Sequence, residues 1–152
     1  MNGESIVGII PNAHAGMMGN KCYNVVVTNY RLIMAQLTKQ MIMDEAKRVK
    51  EQARAEGKGR LSTFAATATC GTTIFQKYFQ MDPESILIEN GGNYFIDLRS
   101  IKSWKVKQGY HDEERANPNE LKIKWNDGKI TLKFNGISAN EAKNMLSSVL
   151  GR

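Results

Sequence analysis

A run of strictly alternating residues near the C-terminus, ELKIKWNDGKITLKF (residues 120–134), constrains the fold most strongly. Successive side chains of a β-strand point to opposite faces, so the alternation predicts two strands that each have one apolar face. Asp127-Gly128, between the two alternating runs, is a strong signal for a tight hairpin turn. We therefore expect an antiparallel hairpin whose apolar face packs against a core and whose other face is basic.

The other apolar stretches predict five further strands around a helical middle segment. ESIVGIIP, CYNVVVT and RLIMAQL are short and apolar, and turn residues separate them, as in an antiparallel meander. We expect the first strand to end at Pro11 and a tight turn at Asn29-Tyr30 to join the second to the third. NYFIDL and KSWKVKQG predict two more strands, with a bend at Arg99-Ser100. Seven strands must curl into a sandwich or barrel to bury their apolar faces.

Residues 38–91 are predicted to form a helical insertion between the third and fourth strands. Residues that favour helices dominate its first part, with Thr38 as the expected cap and Gly57 as the expected end. DPESILIENGG predicts a short helix that begins after Asp82 and ends at Gly91. Between these helices, a stripe at helical spacing indicates another, with a break near Cys70–Gly71. The stripe consists of Phe64, Ala68, Gly71, Phe75 and Phe79.

The chain is predicted to end in an amphipathic helix, SANEAKNMLSSVLGR (residues 138–152). Ser138 and Glu141 have the spacing of a capping box, in which two residues satisfy the first free N–H groups of a helix. The apolar residues that follow recur at helical spacing, so this helix should cover one open end of the sheet. They are Ala142, Met145, Leu146, Val149 and Leu150.

Three stretches resemble parts of the pleckstrin-homology (PH) superfold, which has seven strands and a C-terminal capping helix. VVVTNYRLIM resembles the second-to-third strand hairpin of GRAM and bacterial PH-like domains, and NYFIDLRSIKSWKVKQG resembles their fourth and fifth strands. ELKIKWNDGKITLKF followed by NEAKNMLSSVL resembles their last hairpin and closing helix. The resemblance covers roughly two-thirds of the chain, and residues 38–91 depart from the compact family pattern.

The resemblance implies one domain over residues 1–152 with an α+β, mainly β fold. This fold would be a seven-stranded antiparallel PH-like barrel or sandwich, capped by a C-terminal helix and interrupted by the insertion at 38–91. Many PH domains bind phosphoinositide headgroups through basic residues in the loop between the first two strands. Here that loop, PNAHAGMMGNK, has Lys21 as its only fixed charge, so the headgroup pattern is missing.

The composition is that of a globular protein, with 41% hydrophobic and 24% charged residues. The chain of 152 residues suits a single domain. No stretch approaches the roughly 18 consecutive apolar residues that a membrane span needs. The first residues, MNGESIVGIIPNAHAG, lack the basic region of a secretory signal. We expect a cytoplasmic protein, with peripheral attachment to a membrane as an alternative.

The sequence contains no pattern that indicates catalysis, a metal site or a cofactor. His14 and His111 lie in predicted loops, away from any recognisable pattern of metal ligands or nucleophiles. Cys22 and Cys70 are too few for a disulfide framework or a four-ligand zinc site, and we expect each to be a small buried residue. GTTIFQK lacks the second glycine of a phosphate-binding loop. We expect no enzyme activity, with an uncharacterised enzyme as a second alternative.

The lysines of the last three predicted strands are the main candidate site. The formal net charge of the chain is +6, which favours anionic partners only weakly, so the positions of the lysines matter more than their number. If the three strands are neighbours, their lysines share one face and form a positive surface for an anionic membrane or an acidic partner. The alternative is a solvated outer face that uses lysine for solubility and edge protection. The residues are Lys105, Lys107, Lys122, Lys124, Lys129 and Lys133.

Two smaller sets are candidates for contact with a partner or a membrane. Met17 and Met18 lie in the loop after the first strand, and methionine adapts to irregular surfaces. Phe75, Tyr78 and Phe79 lie in the insertion and could form a peptide groove or a dimer interface. In both sets the alternative is ordinary packing of these side chains onto the core.

We therefore expect a non-enzymatic binding or adaptor module that uses the basic sheet face, the insertion or both. Its partner would be a protein or an anionic surface, and a membrane phospholipid domain is the first alternative. A homo-oligomer formed through the insertion is a further alternative. Nucleic acid is not expected, because Trp125 and Phe134 fall on the inward face, where they cannot stack on bases.

Overall fold

The structure is a computed structural model that describes residues 3–16, 21–55, 57, 74–111 and 116–151. Its strands are β1 (Ile6–Ala15), β2 (Lys21–Thr28), β3 (Arg31–Gln36), β4 (Tyr94–Asp97), β5 (Ile101–Lys107), β6 (Tyr110–His111), β7 (Ala116–Asn117), β8 (Asn119–Trp125) and β9 (Gly128–Phe134). Its α-helices are α1 (Lys39–Ala55), α2 (Pro83–Ile88) and α3 (Ala139–Leu150). Two 3-10 helices span Ile74–Gln80 and Leu98–Ser100.

Seven strands form one open antiparallel sheet in the order β4-β3-β2-β1-β9-β8-β5, and β6 pairs with β7 separately. The prediction of a mainly β fold with seven antiparallel strands and a closing helix is confirmed, whereas strand pairing does not close the described sheet into a barrel. β4 and β5 lie at the two edges of the sheet. One half of the sheet consists of β4, β3, β2 and β1, and the other half consists of β9, β8 and β5. The inner faces of these two halves share one core, where Val25 and Leu32 belong to the same apolar cluster as Leu121 and Leu132.

Helix α3 packs against the shared core as the sequence predicts. Its N-cap is Ser138, whose Oγ accepts a hydrogen bond of 3.0 Å from the backbone N–H of Glu141. Gly151 ends the helix with a φ of +72°, a conformation that glycine adopts without steric cost. Ala142 and Leu146 are fully buried in the cluster formed by the inner faces of the strands.

Strand β1 continues past Pro11 to Ala15, so the prediction that it ends at the proline is wrong. The pairing of β1 with β2 is irregular at Pro11 and Asn12, which is a place where a sheet tolerates a residue that has no N–H donor. Asn12 has a φ of +51°, and its N–H donates to Oδ1 of Asn24 over 3.0 Å. Because the strand continues, His14 lies on β1 opposite Lys133 of β9 rather than in a loop.

Helix α1 is solvated on most of its surface, in agreement with the amphipathic pattern. The backbone N–H of Met41 donates to Oγ1 of Thr38 over 3.1 Å, and Gly57 follows the helix with a φ of +74°. Both predicted ends are therefore confirmed. Its apolar residues at helical spacing, Ile42, Ala46, Val49 and Ala53, are buried or half-buried, whereas the flanking charged positions are mostly exposed.

The second part of the insertion covers the outer face of β1, β2 and β3, on the side away from the shared core. Tyr78 of the 3-10 helix and Ile86 of α2 are fully buried there against Val26 and Ile33. Burial raises the pKa of Tyr78 far above its usual range, and the charge of Glu89 adds to this effect. The insertion thus buries one half of the outer sheet face.

Two details of the predicted insertion differ or cannot be compared. Helix α2 ends at Ile88, with Glu89 as its C-cap, three residues before the predicted end at Gly91. Residues 74–80 form a 3-10 helix instead of an α-helix. The predicted stripe residues Phe64, Ala68 and Gly71, and the predicted break near Cys70–Gly71, lie outside the described residues.

A buried arginine joins the β2–β3 turn to the N-terminal residues and to the insertion. Arg31 is 3% exposed, and its Nε and Nη2 donate to the two carboxylate oxygens of Glu4 over 2.9 and 3.1 Å. Its Nη2 also donates to Oε1 of Glu84 on α2 over 2.7 Å. Burial alone would lower the pKa of Arg31, but the hydrogen bonds to both glutamates raise it above its usual value. Arg31 thus holds three parts of the chain together.

Candidate functional site

The six predicted lysines lie on one exposed face of three neighbouring strands, β9, β8 and β5. The register of these strands places nine residues on the outer face: Ser103, Lys105, Lys107, Glu120, Lys122, Lys124, Lys129, Thr131 and Lys133. We call this set the lysine face. Six lysines and one glutamate give it a charge of +5, which leaves +1 of the formal +6 for the rest of the chain. The charge of the protein is therefore concentrated on this half of the sheet.

Like charges oppose each other directly on the lysine face. Lys105 of β5 pairs with Lys122 of β8, and Lys124 of β8 pairs with Lys129 of β9. The Cβ atoms of directly opposed residues in a sheet are about 5 Å apart, and like charges on opposed residues destabilise the pairing. Among the described residues, the one ion pair on the face is between Lys122 Nζ and Glu120 Oε1 at 3.4 Å. Most of the positive charge is therefore uncompensated within the described part of the chain.

Protection of a sheet edge accounts for part of the lysine face only. Lys105 and Lys107 lie on β5, an edge strand, where lysine discourages pairing with another chain. Lys122 and Lys124 lie on β8 and Lys133 on β9, and both strands have neighbours on each side. Edge protection does not apply to these interior positions, so the alternative to a binding surface there is a solvated face that uses lysine for solubility.

A groove of about 1460 Å³ lies where the lysine face meets the insertion. Leu37, Ile42 and Phe75, from the segment that joins β3 to β4, provide apolar lining. The strands provide charged and polar lining, including Lys122, Lys129, Thr131, Lys133 and His14. The groove therefore combines apolar and cationic side chains within one recess.

His14 and Cys22 line the same groove and oppose each other across β1 and β2. The Sγ of Cys22 is 4.0 Å from Nε2 of His14. Burial raises the pKa of the half-buried Cys22 thiol, so the thiol stays protonated at neutral pH. A protonated thiol is a poor nucleophile and a poor metal ligand. Cys70 lies outside the described residues.

The structure separates the other predicted contact residues. Tyr78 is 0% exposed because it packs against the outer face of the sheet, which agrees with the alternative of ordinary packing onto the core. Phe75 is partly buried against the same cluster and lines the groove. Phe79 is 55% exposed and contacts Phe75 edge to face, with ring centroids 6.4 Å apart. Met17 and Met18 lie outside the described residues.

The groove was not predicted from the sequence, and neither were most of its lining residues, among them Leu37, Ile42 and Thr131. Leu37 ends an apolar run and Ile42 belongs to a helical stripe, so both have the pattern of ordinary core residues. Thr131 interrupts the alternation of lysines without any sign of a role. Their common position depends on where the insertion packs, and no local pattern reports that.

Neither a metal-binding group nor a membrane-spanning helix is found in the part of the chain that the structure describes. No three His, Cys, Asp or Glu side chains of that part lie together in a way that could hold a metal ion. None of its helices is long and apolar enough to cross a membrane. In comparisons with known proteins, no family model, curated sequence or solved structure matches the chain.

Proposed function

We propose that the protein is a non-enzymatic binding module that holds an acidic protein partner on its lysine face. The observation that carries this proposal is the concentration of +5 charge on the lysine face, whose six lysines are exposed and include two directly opposed pairs. Such a surface attracts anionic partners and speeds their association. An acidic partner would also relieve the repulsion between the opposed lysines, because its carboxylates would lie between them.

The rest of the described surface supports a binding role over a catalytic one. His14 and Cys22 come closest to a catalytic pair among the described residues. However, the Cys22 thiol is protonated, and its Sγ is 4.0 Å from Nε2 of His14. Seven antiparallel strands followed by α3 also support the proposal of a PH-like domain, whose plan the sequence resembles. A PH-like domain would be consistent with a binding role, because many PH domains bind headgroups without catalysis.

The test uses a double variant, Lys122→Glu with Lys124→Glu, and labelled poly-L-glutamate as the probe. Each new glutamate faces a lysine, Lys105 or Lys129, and this offsets the loss of the exposed Lys122–Glu120 ion pair, so the variant should unfold at a temperature close to that of the wild type. The charge of the face falls from +5 to +1, and we expect the affinity for polyglutamate to fall about tenfold or more. A loss of binding by a variant that keeps its stability cannot result from misfolding.

The matched control is Lys47→Glu with Lys50→Glu, which changes the net charge equally at exposed positions of α1. It should keep most of the affinity measured by fluorescence anisotropy. Wild-type binding should weaken as salt rises, because salt screens exposed charges over about 10 Å at 0.1 M. Equal losses in both variants would contradict the proposal, since they would show a nonspecific effect of net charge.

A parallel measurement with vesicles of phosphatidylserine and phosphatidylcholine addresses the membrane alternative. The proposal predicts that polyglutamate binds at salt concentrations where the vesicles do not sediment the protein. A different outcome would be that the wild type binds vesicles but not polyglutamate and that Lys122→Glu/Lys124→Glu abolishes the vesicle binding. This outcome would show that the lysine face binds an anionic membrane instead of an acidic protein.

A further inference from the structure

The groove between the lysine face and the insertion adds an apolar site to a cationic surface. Phe75 and Ile42 are part-buried where they line it, so an apolar ligand group could cover their remaining exposed surface. Lys122, Lys129 and Lys133 line the same recess and are exposed. A ligand that fills the groove therefore has to offer both an apolar group and negative charge.

We propose that this groove binds an extended acidic peptide segment that carries an apolar residue at one end of its acidic run. The apolar residue would occupy the part of the groove lined by Leu37, Ile42 and Phe75. The acidic residues would continue over the lysine face toward β5. This inference rests on the proposed function, and it adds the chemical pattern of the partner.

The distribution of the lysines favours a chain over a compact ligand. Three of the six lysines line the groove, and the other three, Lys105, Lys107 and Lys124, continue the face toward its edge. Neighbouring strands are about 4.8 Å apart, so β9 and β5 are about 10 Å apart across β8. An extended peptide covers that distance with about three residues. A small ligand in the groove would leave half of the lysines without a partner.

The recess favours a peptide over a membrane surface. A bilayer presents a broad, flat surface, whereas three of the lysines lie in a groove beside the insertion. An extended chain can enter such a groove and bring carboxylates to all three. The nine positions of the lysine face include no arginine, the residue whose planar fork suits two-point recognition of phosphate. Lysines act as point charges, which suits a series of separate carboxylates.

The test compares two synthetic peptides, one with a leucine before a run of glutamates and one with a serine in its place. Burial of a leucine side chain should make the leucine peptide bind the wild type about tenfold more tightly. Thr131→Trp would fill the groove from an exposed strand position that tolerates aromatic residues, and it keeps every lysine. In this variant we expect the advantage of the leucine peptide to disappear.

The control Asn144→Trp adds the same side chain at an exposed position of α3, which packs on the opposite side of the sheet. It should keep the tenfold preference. Equal binding of the two peptides to the wild type would overturn the groove inference, as would a preference that survives in Thr131→Trp. If both peptides bind equally and Lys122→Glu/Lys124→Glu loses both, the lysine face stands and the groove inference fails. If neither peptide binds the wild type, the proposed function itself fails.

Discussion

At the level of single residues, Arg31 is a buried polar side chain whose partners come from distant parts of the chain. The sequence places it after a predicted turn, and its ion-pair partners, Glu4 and Glu84, are 27 and 53 residues away. No local pattern reveals such distant partners, so the turn could be predicted from Asn29-Tyr30 but the role of Arg31 could not. The lysines are the opposite case, because alternation alone assigns each of them to a face.

Arg31→Ala should lower the free energy of unfolding by about 3 kcal/mol or more, since it leaves the buried carboxylate of Glu4 without its partner. Addition of Glu4→Gln should recover part of this loss, because it removes the unpaired buried charge. The control is Arg99→Ala, which breaks an exposed pair with Asp97 and should barely move the urea midpoint. Equal losses for Arg31→Ala and Arg99→Ala would contradict the structural role of Arg31.

The pH dependence of the same variants gives a second readout. The hydrogen bond from Arg31 lowers the pKa of Glu84, so in the folded state this carboxylate holds its proton less readily than in the unfolded chain. Its contribution to stability is present above the unfolded pKa of about 4.3 and is lost as the pH falls through the folded pKa. The stability difference between the wild type and Arg31→Ala should therefore shrink at acidic pH.

At the scale of secondary structure elements, local periodicity predicted most of the fold. The β8–β9 hairpin and α3 follow their patterns closely, because alternation and helical spacing are strong when one face is buried. The errors fall where geometry is irregular. β1 passes Pro11 through an irregularity in its pairing, and residues 74–80 form a 3-10 helix, for which the sequence has no distinctive period.

Gly109, just before β6, gives a test at this scale. An added Cβ would overlap the carbonyl oxygen of Asn117 and lie 2.5 Å from the carbonyl carbon of Pro118. Both neighbours are backbone atoms that cannot rotate away, so Gly109→Ala should cost about 1–3 kcal/mol in thermal unfolding. Gly91→Ala is the matched control, because its Cβ would meet open space and should leave stability unchanged or slightly raised. An equal melting temperature for the two variants would contradict the packing around β6 and β7.

At the scale of the whole molecule, the insertion decides what the outer face of the sheet can do. Its described residues Tyr78 and Ile86 cover β1, β2 and β3, whereas the lysines of β9, β8 and β5 are exposed. The sequence predicted both the insertion and the lysine face, yet it could not place one beside the other. Their border forms the groove, and this explains why its lining residues have no common sequence signal.

A titration of the protein with poly-L-glutamate, followed by backbone amide NMR shifts, tests whether the lysine face is the binding surface. We expect the shifts to concentrate in β5, β8 and β9 and to diminish at higher salt, while the covered strands β2 and β3 change little. Shifts that concentrate on β4 and α2, or a spectrum unchanged at saturating polyglutamate, would show that the lysine face is not the binding surface.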